Sequence, residues 1–243
     1  AEYFGVNLTT EQGRPKTTQV AIANNILAEV NQEEFAETAV KIGTKLWLHK
    51  IIESHQGNGD SAVETGNNLR HQLGHYLGAM FYFEGEWFWG LDRVRSLEKR
   101  LIDEGYSQIS TICVPEPAAK DIGMRDTSTI TLEYFPSLRS PYTAVGHPAV
   151  LDMIERTGVN LIVRPVMPMM MRGIPAPREK QQYIIADSSR EARERGVPFG
   201  HMVDPFGDPV IRAFALFPAA VKLDKSLEFV TAYLSAAWAE GID

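Results

Sequence analysis

Cysteine is almost absent: Cys113 stands alone among 243 residues. One cysteine cannot close an intrachain disulfide, form a Cys-x-x-Cys redox pair or build a thiolate zinc site. Long apolar runs are also missing, and the longest fall well short of the ~18 residues that a membrane-spanning helix needs. Nor is there an excess of positive charge. Lys and Arg total 24 against 31 Asp and Glu, a net charge of −7, with both signs scattered along the chain. Without a basic patch, nucleic acid and anionic membrane are not expected partners. What the chain does have is 44% apolar and 23% charged residues, the composition of a folded protein. Its length fits one large domain or two modest ones. The opening Ala1-Glu2-Tyr3-Phe4 shows neither an initiator Met nor a signal peptide. It does not decide the location, for which the cytoplasm is the default expectation.

A displacement of 191 residues sets Ala1–Ile52 against Ala192–Asp243 with eight identities. These are Ala1/Ala192, Gly5/Gly196, Val6/Val197, Ala28/Ala219, Val30/Val221, Glu37/Glu228, Trp47/Trp238 and Ile51/Ile242. Gly-Val and Trp are distinctive, and no gap is needed, so an internal repeat is expected. The chain would then begin and end at the same point of a repeat. Three segments follow: 1–104 as the later part of a first repeat, 105–128 as a linker, and 129–243 as the earlier part of a second.

Apolar spacing of three and four predicts helices over 19–30, 33–52, 91–104, 179–195, 208–222 and 225–239. A short helix is expected over 67–76, after a polar, Gly-rich loop from His55 to Gly66. The aromatic runs 79–83 and 86–89, broken by Glu84-Gly85, read as a two-residue β-hairpin buried on both faces. Residues 129–135 and 159–164 read as strands flanking a helix from Ser140-Pro141 to about Arg156, with Ser140 as N-cap and Pro141 in the first turn. That is a right-handed βαβ unit with parallel strands. The expected fold class is therefore α/β: a βαβ half, a ββα half and a large helical subdomain. The two halves either sit in separate repeats or pair within the chain as one circularly permuted four-stranded sheet.

The strand–helix junction Tyr134-Phe135-Pro136-Ser137-Leu138-Arg139-Ser140-Pro141-Tyr142-Thr143 carries the clearest chemistry. A helix N-terminus offers free N–H groups and the positive end of its dipole to an anion, and Ser140 can add a hydroxyl. Capping alone also accounts for Ser-Pro. Met167, Met169, Met170 and Met171 either line an apolar pocket or pack a loop on the core. Arg172 and Arg178 flank that region and read as solvated loop charge. His71 and His75 have the spacing of zinc ligands but lack a third partner, so no metal is expected. Asp204-Pro-Phe-Gly-Asp208 reads as a turn.

The Ser140 junction resembles the active-site turn of the DsbA-like thioredoxin superfamily, with Ser140 and Thr143 at the two cysteine positions and Pro148 at the place of the kinking helix proline. Ser-Pro-Tyr in that turn is similar to 2-hydroxychromene-2-carboxylate isomerases and class kappa glutathione transferases. A second block, Arg178, Lys180, Tyr183, Asp187, Arg190 and Ala192 followed by Gly196-Val197-Pro198-Phe199, matches the same resemblance. A third, Gly85 to Arg93, resembles the family's last hairpin and the Gly-x-Asp-Arg opening of its final helix. The resemblance implies a fragment of a tandem two-domain member. It implies that Ser140 holds the thiolate of glutathione as cosubstrate, and that Asp92, with Arg93 beside it, holds the γ-glutamyl end. Pro141, Tyr142 and Lys180 complete the implied binding set. The family's cis-proline would fall at Leu77-Gly78-Ala79, where this chain has none.

Two function classes follow from that resemblance. One is a glutathione-dependent isomerase or transferase acting on an aromatic or electrophilic small molecule. The other is a non-catalytic thioredoxin-like module. Disulfide exchange is disfavoured because it needs a dithiol. Apolar faces at the ends of such a fragment would favour a swapped homodimer.

Overall fold

The computed structural model describes residues 13–109, 111–115, 127 and 129–242. The identities at Ala1, Gly5 and Val6, residue Asp243, and linker positions 110, 116–126 and 128 lie outside them. The chain divides into two compact units after Gly74. This division follows a different line from the expected segments, because the hairpin and the helix after it fall in the second unit.

The first unit is helical. In it α1 (Thr17–Glu29) packs against both α2 (Gln32–Trp47) and α3 (Gly59–Gln72). Asn31 caps α2 by accepting from the Glu34 N–H at 2.9 Å, and Glu33 and Glu34 face the positive end of the dipole. The core is small: Ala23, Ile42 and Ile52, with Ile22, Ile26 and Leu46 against them. Two expectations change here. The helix expected over 33–52 ends at Trp47, and His49 takes a positive φ of 52°. The turn lets the Ile52 N–H donate to Gln19 Oε1 at 2.7 Å. The loop expected over 55–66 is already helical from Gly59. Its glycine serves close approach: a Cβ on Gly59 would stand 2.6 Å from the Asn25 backbone N.

The second unit opens with the hairpin β1 (Met80–Phe83) and β2 (Glu86–Trp89), antiparallel with Phe83 opposite Glu86. Both turn residues have positive φ, 42° at Glu84 and 86° at Gly85, as a two-residue hairpin requires. The expected burial of both faces is corrected: Phe88 is fully buried, whereas Phe81, Tyr82 and Trp89 are exposed. Phe81 stands directly opposite Phe88 in the register, so burial follows what packs over β2 rather than the alternation of faces. A 3₁₀ turn (Leu91–Arg93) leads into α4 (Val94–Asp103).

The βαβ unit is present: β3 (Thr131–Tyr134), α5 (Pro141–Thr157) and β4 (Asn160–Val163), with the strands parallel and Thr131 opposite Asn160. Then come α6 (Arg178–Arg195), α7 (Asp208–Lys222) and α8 (Ser226–Ser235), the last continued by a π-helical turn to Glu240. Among the described residues the hairpin and the parallel pair are two separate two-stranded sheets. This corrects the permuted four-stranded sheet: the hairpin spends its polar edge on α6, with Arg190 donating to the Trp87 carbonyl at 3.1 Å. The architecture is mixed α/β and mainly helical. The main core joins Leu138 and Val163 of the βαβ unit to Phe217 of α7, Val230 and Leu234 of α8 and Trp238 of its π-helical continuation. No helix of the described residues is long and apolar enough to cross a membrane.

Candidate functional site

The turn after β3 is held rigidly. Pro136 and Leu138 are fully buried, and the Val166 N–H donates to the Pro136 carbonyl at 2.9 Å. The chain then enters α5 through Ser140. Its Oγ accepts from the Thr143 N–H at 3.3 Å, and Pro141 occupies the first turn. The expected cap is thus formed. Because Oγ acts as acceptor to the helix, the hydroxyl hydrogen remains available to a ligand.

Ser140, Pro141 and Tyr142 open on a cavity of about 440 Å³. Met169, Met170 and Met202 supply thioether walls, and Ile184, Ile185 and Trp238 supply hydrocarbon and indole. The pocket reading of Met169 and Met170 therefore holds, while Met167 and Met171 lie outside the lining. Its charged groups are Arg139 and Asp204, which pair with each other at 2.7 and 2.6 Å. Arg139 also stacks over Phe206 and donates to the Met170 sulfur at 3.1 Å. This clasp ties the Ser140 turn to the 3₁₀ turn Met169–Arg172 and to the loop before α7. Asp204 thus does more than shape its turn.

Behind the cavity lies a buried carboxylate. Asp187, 1% exposed, accepts from Arg93 Nε and Nη2, both at 2.9 Å, from Arg190 Nη2 at 2.6 Å, from Tyr142 Oη at 2.7 Å and from Tyr183 Oη at 3.2 Å. Burial alone would raise its pKa, but the hydrogen bonds from Arg93, Arg190 and Tyr142 outweigh burial and hold it below the usual carboxylate value. Burial, and then the bond to Asp187, push the Tyr142 phenol well above its ordinary value. Tyr142 therefore stays protonated and spends its hydroxyl on Asp187. Arg93 is lowered by burial but raised more by Asp187, so it stays charged.

The implied residues divide accordingly. Ser140, Pro141 and Tyr142 share the cavity wall. Arg93 reaches the same cluster through Asp187. Asp92 is exposed in the 3₁₀ turn, and neither Asp92 nor Lys180 lines the cavity, although Lys180 precedes the lining residue Gln181. Arg172 and Arg178 also lie outside the lining. His71 closes α3 of the first unit. His75 is buried in the second, stacked on Tyr76 and beside Trp87 and Tyr183. Among the described residues no group of three His, Cys, Asp or Glu could hold a metal ion. No family model, curated protein or solved structure matches the chain.

Sequence reasoning missed Arg139, Asp204 and Trp238 as cavity residues, and Asp187 as the hub. One signal was available in α6. Gln181, Ile184 and Ile185 share a helix face at spacings of three and four, and Tyr183, Asp187 and Arg190 share the next. The first triplet lines the cavity and the second holds Arg93 and the hairpin.

Proposed function

We propose that the second unit binds a small-molecule thiol and an apolar electrophile in the Ser140 cavity, as a DsbA-like, glutathione-dependent isomerase or transferase. One observation carries the reading: a serine hydroxyl at the N-terminus of a 17-residue helix opens on an apolar cavity of about 440 Å³. The helix dipole and the Ser140 hydroxyl both favour a thiolate over a thiol. An apolar enclosure strengthens both interactions but also strips water from the anion, which alone would favour the thiol, so the dipole and the hydroxyl have to outweigh that burial. The thiolate sulfur adds to an electrophilic carbon of a conjugated substrate, and the displaced electron pair moves to the substrate oxygen. The softened double bond rotates, and return of the pair expels the thiolate. Isomerisation balances without oxidant or reductant. Transfer differs only in that a leaving group, rather than the thiolate, departs. Met169, Met170 and Met202 give adaptable walls suited to an aromatic ring.

A second reading, a non-catalytic thioredoxin-like module, is favoured by a different observation. Asp92 and Lys180 stand outside the cavity lining, and the Tyr142 hydroxyl is committed to Asp187. Calorimetric titration with reduced glutathione separates the two. The enzyme reading expects saturable binding that weakens about tenfold or more in Ser140→Ala, the scale of one charge-assisted hydrogen bond. Cooperative melting with no glutathione binding would sink it and leave the module.

A further inference from the structure

We propose that the outward face of α7 is a contact surface for a second copy of this chain, laid antiparallel across it. The contact joins two surfaces without exchange of elements. It is independent of the Ser140 reading, since no α7 residue lines that cavity. From Ala213 to Val221 the helix carries no polar side chain. A helix that is apolar all round belongs in an interior, because every face needs cover. Here one face has it: Val210, Ala213, Phe217 and Ala220 are buried. Ile211, Leu216, Val221 and Leu223 are each more than half exposed. Contiguous apolar surface of this kind marks an interaction site.

The arrangement of that face points to its own copy. With about 3.6 residues per turn, Asp208, Ile211, Ala215, Ala219 and Lys222 form one stripe opposite the buried residues. All five are exposed. Asp208 and Lys222 stand at equal distances on either side of Ala215. An antiparallel copy crossing at Ala215 therefore brings Asp208 opposite the second copy's Lys222, and Lys222 opposite its Asp208. A parallel copy would set like charges against each other. Ala215 meets itself, which permits the close approach and the shallow crossing of about 20° that keep the stripe in contact along its length. Ile211 comes level with the second copy's Ala219, where a small side chain leaves room for it. Among the described residues none of Asp208, Arg212 and Lys222 forms an ion pair. Arg212 edges the stripe one turn from Asp208, where its stem covers apolar surface and its charge stays in water. Identical surfaces that satisfy each other in this way are what a two-fold dimer requires. One helix pair covers less than a standard interface, so the dimer is a weak one.

Sedimentation velocity of the full chain over about 1–100 µM reads the association, with circular-dichroism melts as a check on folding. The expected result is a monomer–dimer equilibrium within that range. Asp208→Lys and Lys222→Asp should each weaken it about tenfold or more, because two pairs per dimer turn from attraction to repulsion. Mixed together, the two variants should associate with each other, since each supplies the charge that the other has reversed. Ala215→Glu, at an exposed position, sets one charge against itself at the crossing and should abolish the dimer. A chain that stays monomeric throughout, a dimer that survives Ala215→Glu, or charge variants that melt like the parent yet fail to associate on mixing would each overturn the proposal.

Discussion

Two helical hairpins of this chain make an instructive pair. The displacement of 191 residues that aligns the sequences carries Thr17, the start of α1, onto Asp208, the start of α7. It carries α2 onto the region of α8 and its π-helical continuation, and Trp47 onto Trp238. The two tryptophans then part company. Trp238 is 3% exposed, stacked parallel to Phe199 at 5.8 Å, and packed in the core with Leu138 and Val163. Trp47 is 46% exposed at the end of α2. The second hairpin has a βαβ unit to lie against. Among the described residues the first closes on the small cluster of Ala23, Ile42 and Ile52, with Ile22, Ile26 and Leu46 against it. Similar sequence can thus repeat a helix without repeating its burial.

The strongest way to break this comparison is to truncate both tryptophans. Trp238→Ala should cost the second unit about 3–5 kcal/mol, because it removes a large buried ring and leaves a cavity. Trp47→Ala should cost the first unit under about 1 kcal/mol, since much of that ring already meets water. Denaturant melts of each variant measure both, and equal losses would remove the distinction.

A pH experiment sharpens it further. His147 is buried, between the Tyr134 hydroxyl at 3.2 Å and Thr231 Oγ1 at 2.8 Å. The Thr231 hydroxyl donates to the Leu227 carbonyl, so it accepts from His147 Nε2 and leaves Nδ1 to accept from Tyr134. Burial lowers the His147 pKa. The unfolded chain therefore takes up a proton that the folded chain refuses as pH falls below the ordinary histidine value of about 6.5. Stability of the second unit should drop over that acid range. His147→Gln should flatten that part of the profile, and an unaltered slope would refute the assignment.

A small effect is one in which the two units should agree. Asn31 caps α2 and Ser140 caps α5, each through one side-chain oxygen and one backbone N–H. Asn31→Ala and Ser140→Ala should each cost about 1 kcal/mol, read from amide exchange in the helix concerned. A much larger loss at Ser140 would mean that its hydroxyl does more in the free protein than cap a helix.

Local features were legible in the sequence. The hairpin turn Glu84-Gly85, the cap at Ser140 and the run of later helices all depend on residues within a turn or two of one another. The Gly-rich stretch before α3 misled because Gly59 answers to Asn25 of another helix, not to its own neighbours. The site was legible in its first part, the Ser140-Pro141-Tyr142 wall and Met169 and Met170. It was not legible in Trp238 or in the Arg139–Asp204 clasp, whose partners lie 65 residues apart.

By itself, then, the sequence determined where the helices after the hairpin lie, where the hairpin turns and which serine stands at a helix N-terminus. Periodicity and capping act over a few residues, and their chemistry is written in adjacent letters. Only the tertiary structure decided that Asp187 gathers Arg93 from 94 residues away, that one tryptophan is buried and its counterpart is not, and that the hairpin and the βαβ unit keep separate sheets. Burial and pairing depend on what another segment places opposite, and that is a property of packing rather than of local order.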